Sequence, residues 1–295
     1  MNLNALFASG VDGLMLGFVY GLAAMGLSLI FGVMRVINLA HGPVIMLGMF
    51  VVYVLSHDYG LNPYLGFIAA LVLGLIFGII MYLIAVHRVI NAPELTTLLA
   101  TFSVNLMIIG VATAVFTTTP RALDLKMGDF NIGPATVLGT KFIAALVAIA
   151  VTAALYYFLY RTRTGKSIRA VANNRAAAEL MGINSTRMLA LSFGLGTMLA
   201  MASGALISTL FSFNPLSGNS YETKSFVIVV LGGLGNPTGA LVGGIVIGLL
   251  EAVVGLVPVP FIGSIPFSWV PVLEYVIFVM ILLIRPTGLL GARQS

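Results

Sequence analysis

The sequence predicts an all-α, polytopic transmembrane helical bundle with about 8–9 membrane-embedded segments, some of them short or broken. Three observations predict it. Of the 295 residues, 60% are hydrophobic and only 8% are charged, against roughly 25% charged in soluble domains. The nine acids and fourteen bases leave uncharged runs at 13–34, 59–86, 95–120, 188–221, 225–250 and 252–273, and about 20 apolar residues span a bilayer as helix. The mean hydropathy of +1.10 comes from long apolar blocks, without the roughly 10-residue alternation of outer-membrane barrel strands, so helices must satisfy the backbone in lipid.

The elements follow from where the bases fall. Arg161, Arg163, Lys166, Arg169, Arg175 and Arg187 crowd one short stretch against a single acid, Glu179. Positive-inside asymmetry makes 161–187 a cytoplasmic loop. Counting back, 142–160 crosses inward, so 121–141 lies outside. The spans 95–120 and 61–86 then place the His87-Arg88 turn inside and the His57-Asp58 turn outside. The stretch 44–56 is short for a full crossing, and 13–34 enters from outside. Counting forward, 188–211 exits. Arg285 and Arg293 place the C-terminus inside only if 225–257 is two segments broken at Gly232-Gly-Leu-Gly-Asn-Pro-Thr-Gly239, followed by a last span over 269–285. Glycine clustering and proline supply that break. Nine embedded segments result, with the N-terminus outside, within one transmembrane domain, 1–295.

Composition also excludes function classes. The net charge of +5 reflects positive-inside bias and does not indicate a nucleic-acid partner. Zero cysteines exclude disulfides, thiolate metal sites and a cysteine nucleophile, and His41, His57 and His87 fall in no metal-binding spacing. The first residues, Met1 to Phe7, carry no base, and no cleavage site precedes the first apolar block, so no cleaved signal peptide is expected. Thr164-Gly165-Lys166-Ser167 imitates the end of a phosphate-binding loop, yet the first glycine of that motif would stand where Tyr160 is, and a strand is required before it. Any ATPase must therefore be another polypeptide. The sequon Asn184-Ser-Thr186 lies on the cytoplasmic side.

Thirty-three glycines recur at four-residue spacing in Gly13/Gly17/Gly21, Gly74/Gly78, Gly235/Gly239/Gly243 and Gly244/Gly248. Such faces allow close helix approach, either as a sliding or dimerising interface or as static packing within one subunit. Asn38, His41 and the Gly42-Pro43 pair interrupt apolar helix, as packing and capping groups or as groups lining a pathway. Glu251 stands among apolar neighbours, where a charge costs roughly 2.5–3.5 kcal/mol on insertion scales, and so requires a polar partner or water. Glu274 resembles it nearer an interface. From Gly165 to Met181 alanine-rich sequence predicts short surface helices, ended by Gly182 and followed by a cap at Asn184 or Ser185. These helices either lie on anionic lipid or dock into a soluble partner, with Arg169 and Arg175 as polar anchors.

Four segments, in order across most of the chain, carry a resemblance: Gly26-Leu-Ser-Leu-Ile-Phe-Gly-Val-Met-Arg-Val-Ile-Asn-Leu-Ala-His-Gly42; Arg163-Thr-Gly-Lys-Ser-Ile-Arg-Ala-Val-Ala-Asn173 with Ala178-Glu-Leu-Met-Gly-Ile-Asn184; Leu231-Gly-Gly-Leu-Gly-Asn-Pro-Thr-Gly-Ala240; and Arg285-Pro-Thr-Gly-Leu-Leu-Gly291. Together they resemble the permease subunits of branched-chain amino acid ABC importers that lack a fused ATPase. The resemblance implies a bacterial or archaeal inner-membrane subunit that is not itself an enzyme and needs no cofactor. Its expected partners are a second homologous permease, two cytoplasmic ATPases, a periplasmic or extracellular solute-binding protein and membrane lipid. It implies an ATPase-coupling role for Gly165, Arg169, Ala170, Asn173, Ala177, Leu180 and Gly182. Asn38, His41, Gly42, Gly233, Gly235 and Glu251 are the candidate pathway or gate residues, at the two broken regions. Family members that carry urea or short amides, and a secondary transporter built on broken helices, are the alternative readings.

Overall fold

The computed structural model describes residues 3–123, 125, 127–132, 135–254, 258–259, 263–264, 269–285 and 287–291. Arg293 and the end of the expected 225–257 block lie outside the described residues. The helices are α1 (Leu3–Met34), α2 (His41–His57), α3 (Pro63–Met81, continued by a π-helical turn, Tyr82–Val86), α4 (Glu94–Phe116), α5 (Gly139–Arg161), α6 (Arg163–Asn173), α7 (Arg175–Leu180), α8 (Ser185–Ile207), α9 (Ser217–Gly232), α10 (Pro237–Val254) and α11 (Val270–Ile284). Among the described residues eight helices are apolar by length and composition; α9, the ninth expected segment, is apolar only from Ser225 onward and carries Glu222 and Lys224 in its first half. Six are long enough to cross unaided; α2 and the Pro271–Ile284 stretch are shorter apolar helices. The protein is a multi-pass membrane protein.

Local chemistry sets the helix ends. Asn62 caps α3 by accepting from the Tyr64 amide at 2.9 Å, with Pro63 in the first turn. Thr162, Asn174 and Asn184 cap α6, α7 and α8 through the amides of Gly165, Ala177 and Arg187, each at 3.0 Å. Gly182, at φ +81°, turns the chain between α7 and α8 where a side chain would be strained. The surface helices and their stop therefore match the sequence expectation, and the cap is Asn184.

Two short hairpins depart from the purely helical expectation. In the 121–141 loop, β1 (Asp129–Ile132) pairs antiparallel with β2 (Ala135–Leu138). Val137 is buried there against Met15 and Ala145, and Phe130 meets Phe142 at 5.4 Å. Alternating apolar residues over four positions were too brief to stand out beside the helical blocks. A second pairing joins β3 (Pro258–Val259) to β4 (Gly263–Ser264).

Glycine decides how the helices pack. On α1, Cβ atoms at Gly13, Gly17 and Gly21 would meet Gly248, Ile245 and Leu241 of α10 at 2.6, 2.7 and 3.0 Å. The descending partner numbers show that the two helices run antiparallel. On α3, Gly74 and Gly78 take the same approach to Met198 and to Gly194 and Thr197 of α8. The glycine faces of α1 and α3 are thus occupied by packing within one subunit, with backbones in contact.

The helices α8–α11 repeat the packing partners of α1–α4. As α10 lies along α1, α3 lies along α8; α9 pairs with α10 as α2 pairs with α3; α4 and α11 rest lightly on α2 and α9. The corresponding helices α1 and α8 cross at Gly26 and Gly196, each approaching the other's carbonyl oxygen. Five embedded helices precede α8, so the second set runs opposite to the first, the arrangement of an inverted repeat. The core lies in α1, α2, α8 and α9, with Leu22, Met25, Ile45, Met49, Phe193 and Leu199 fully enclosed. Large apolar side chains of α3, α4 and α11 face outward, as lipid or a second subunit requires.

Candidate functional site

The site grows from two helices that begin inside the bundle. After α1, residues 35–40 double back, and His41 at the start of α2 reaches Ala23, well up α1, with Nε2 3.0 Å from its carbonyl oxygen. After α8, residues 208–216 likewise fold inward, so that α9 starts beside α2. Gly42 and Gly218 touch there: a Cβ on Gly42 would lie 2.3 Å from the Gly218 carbonyl oxygen and 2.4 Å from Cβ of Glu222. Two helix N-termini, with their positive dipole ends, therefore face each other at membrane depth.

The backbone freed by the first break is satisfied from α4. Thr101 Oγ1 accepts from the Leu39 amide at 3.3 Å and reaches the Ile37 carbonyl at 3.4 Å. Asn105 donates to the Leu39 carbonyl at 2.5 Å and to Glu222 Oε2 at 3.0 Å. Asn38 Oδ1 accepts from the Ala40 amide at 3.1 Å. Asn38 Nδ2 and His41 Nδ1 are buried with no hydrogen-bond partner among the described residues, a costly condition. Asn38 lines a cavity of about 330 Å³ with Leu27, Asn219, Glu222, Thr223 and Phe226.

The second break is a different kind of joint. Gly233 and Gly235 adopt φ of +109° and +78°, conformations glycine permits. Asn236 Oδ1 caps α10 by accepting from the Thr238 and Gly239 amides at 3.1 and 3.2 Å, while its Nδ2 donates to the Leu290 carbonyl at 3.0 Å. The tail completes the joint: the Leu289 and Leu290 amides donate to the carbonyls of Leu231 and Gly232 at 2.7 and 3.1 Å. A side chain at Gly233 would collide with Gly291, and one at Gly288 with the Val230 carbonyl. The segments 231–240 and 285–291, far apart in sequence, form one interlocked unit at the end of α9, and Gly235 seats it against Gly32.

The two breaks consequently lie at opposite ends of α9 and are not brought into one interface. The first sits at the α9 N-terminus and the second at its C-terminus. Glu251 belongs with the N-terminal half. Lys224 Nζ lies 2.9 Å from Glu251 Oε2 and 3.3 Å from Glu274 Oε1, and 4.4 Å from the centre of the Tyr20 ring. This buried triad lines a cavity of about 610 Å³ that also borders Tyr221 and Tyr275. Asn219 and Thr223 border both cavities, so the polar start of α9 separates them.

Glu251 has the polar partner its position demanded, but Lys224, Glu222, Thr101 and Asn105 escaped the sequence reading. The first two fall between the uncharged runs 188–221 and 225–250, outside the expected segments, although they are helical. Thr97, Thr101 and Asn105 carried a signal in their four-residue spacing within an apolar block, which places all three buried side chains on one helical face.

In the 161–187 loop, Gly165 packs on the Phe158 and Leu159 backbone. Arg169 donates to the Leu159 carbonyl at 3.1 Å and lies over the Tyr160 ring at 4.5 Å. Arg175 reaches Glu179, Ser185 and Asn91. Both guanidinium groups also bond within the chain, which fixes where they stand on the loop. Ala170 is half-buried against the core, whereas Asn173 and Ala177 are exposed. Leu180 and Met181, 89% and 83% exposed, project just before Gly182 as an apolar pair.

A family model described as "Branched-chain amino acid transport system / permease component" matches residues 10–285. The chain is 28% identical to the high-affinity branched-chain amino acid transport system permease protein LivH of Escherichia coli K12, covering 95% of this chain and 94% of that one. It is also 28% identical to BraD of Pseudomonas aeruginosa, over the same shares. A probable branched-chain amino acid transport permease of Methanocaldococcus jannaschii is 29% identical, over 92% and 88%. Among solved structures, PsaBC from Streptococcus pneumoniae in complex with Fab aligns with a TM-score of 0.51 at 17% identity, covering 94% of this chain and 92% of that one; this likeness concerns the fold.

Proposed function

The chain belongs to the branched-chain amino acid transport permease family, and from that premise we propose that it is the membrane-spanning subunit of an importer for branched-chain or related hydrophobic amino acids. Hydrolysis of ATP takes place on two separate cytoplasmic subunits. A second permease completes the path, a binding protein outside delivers the cargo, and the assembly sits in the inner membrane. The observation that carries the reading is the meeting of α2 and α9 at Gly42 and Gly218, where two helices start inside the bundle beside polar cavities. Irregular backbone at that depth is tolerated where it is buried in protein or lines a pathway.

In this reading the polar face that includes Asn38, Glu222 and Asn219 borders the path, and His41 fixes the first break through Ala23. Gly233 and Gly235 form a hinge at the cytoplasmic end of α9, joined to the tail. The 161–187 loop meets the ATPase, with Ala177 and Leu180 in contact and Gly165, Arg169, Ala170, Asn173 and Gly182 supporting its shape. The test is uptake into proteoliposomes containing the permease pair, its ATPases and the binding protein. ATP-dependent accumulation of L-leucine, L-isoleucine or L-valine is expected. Accumulation of urea in place of these would move the cargo to small amides, and leucine uptake persisting without the ATPases would refute the ABC mechanism.

A further inference from the structure

We propose that the cavity beside Lys224, Glu251 and Glu274 is a transit site for the ammonium group of an aliphatic cargo. The proposal rests on the importer reading and names the chemistry by which this subunit recognises what passes.

The argument begins with a charge count. One ammonium, Lys224, faces two carboxylates, Glu251 and Glu274. The three side chains are only 17%, 10% and 6% exposed. Bare charges at such depth are costly, and a buried pair is tolerable when its partners compensate. Lys224 compensates one carboxylate. Its stronger contact is with Glu251, at hydrogen-bond distance. Glu274 stands farther away, and its Oε1, although within ion-pair range, receives no hydrogen bond among the described residues. The cluster therefore has room for one more positive charge with hydrogen-bond donors, at Glu274.

The surroundings suit an alkylammonium better than a bare metal ion. The cavity, of about 610 Å³, lies in the range of small-molecule sites. Tyr20, Tyr221 and Tyr275 supply ring faces and edges, favourable to an organic cation, and Phe211, Val227 and Pro271 add apolar wall. Among the described residues no group of three or more metal-binding side chains is assembled for a metal. An ammonium directed at Glu274 with an aliphatic chain along the tyrosines matches the carboxylate and the aromatic and apolar parts of the lining. Lys224 also limits how tightly such a group is held, because it competes for the same carboxylates, which suits a site that must release its cargo.

Ligand-observed saturation-transfer NMR on the permease, purified in nanodiscs with its partner subunits but without the binding protein, tests this directly. The probes are 3-methylbutylammonium and 4-methylpentanoate, an amine and an acid with similar aliphatic tails. Saturation transfer to the amine and none to the acid is expected. Glu274→Gln should reduce the amine signal at least threefold, with unchanged elution on size exclusion. Lys224→Gln, which frees both carboxylates, should increase it. Equal signals from amine and acid, or an amine signal undiminished in Glu274→Gln, would overturn the proposal. Failure of ATP-driven uptake would instead strike the importer reading, since this binding measurement needs no transport.

Discussion

Gly42 and Gly218 hold α2 and α9 together backbone to backbone: a Cβ on the first would lie 2.3 Å from the carbonyl oxygen of the second, and a Cβ on the second 2.8 Å from that of the first. Neither carbonyl is the far end of a flexible side chain, so the helices themselves would have to part. Gly42→Ala should cost about 1–3 kcal/mol, the usual penalty for overpacking, and abolish uptake. Gly10→Ala, where nothing lies within 4 Å, should lower neither, since alanine favours the helix at an open position. Thermal unfolding in detergent and proteoliposome uptake measure the pair.

The crossing directions can be read with single cysteines, since the chain has none of its own. A cysteine at Gly60 should react with an impermeant maleimide from outside intact cells, whereas cysteines at Leu180 and Leu234 should react only after the membrane is opened. Labelling of Leu234 from outside would invert the second half of the assigned topology.

Coupling should depend on the exposed part of α7. Ala177→Trp together with Leu180→Asp should uncouple ATP hydrolysis from uptake, reducing transport about tenfold or more while the subunit stays in the membrane. Bulky replacement of Ala170 should act differently, by dislodging α6 from the core against which that residue packs. Transport at the parent rate in the Ala177/Leu180 variant would remove the coupling assignment.

The joint at the end of α9 depends on Asn236, which caps α10 and holds the Leu290 carbonyl. Asn236→Ala should cost about 1 kcal/mol for the lost cap and increase hydrogen exchange at Leu289 and Leu290. Exchange confined to the α10 start would show that the tail is held without it.

Below α8, Ser185 and then Arg175 hold the Glu179 carboxyl under its ordinary value of 4.5. A depressed folded value contributes stability that is fully present above 4.5 and is lost as pH falls through the lowered folded value. Hydrogen exchange of the α7–α8 turn should therefore be flat from pH 7 down to about 4.5 after correction for intrinsic rates, and rise below it. In Ser185→Ala, which removes the larger cause of the depression, the rise should still begin near 4.5 but be smaller.

Much of this was legible because lipid imposes length and charge rules on sequence. The apolar helices, the break at 232–237, the surface helices and the Gly182 stop all follow from runs of residues that can be counted. Pairing was not legible. Nothing in the sequence around Glu251 points to Lys224, because the two meet only when α9 starts inside the bundle, and that start is set by its contact with Gly42. The same holds for Asn105, whose role depends on carbonyl groups that only the doubled-back chain presents. The meeting of 231–240 with 285–291 was beyond local rules too, since each stretch by itself is simply a glycine-rich end of a helix.

The antiparallel union of α1 and α10 has a consequence for how the protein is made. The longest packed face of the first helix belongs to a partner that emerges from the ribosome only after six other apolar helices, α2 to α5, α8 and α9. Throughout that interval the Gly13, Gly17 and Gly21 surface must reside in lipid, against the translocon or against transient neighbours. The helix is suited to such waiting: it is apolar around nearly its whole circumference, with no acidic or basic residue in either terminal turn, so no polar face demands early burial. Contacts so distant along the chain are slow to close, and glycine faces grip by shape with little gain before the matching backbone arrives. Final compaction therefore falls late in biogenesis, and an inserted but unlocked subunit, its first helix still loose, is the species a membrane quality-control protease would meet.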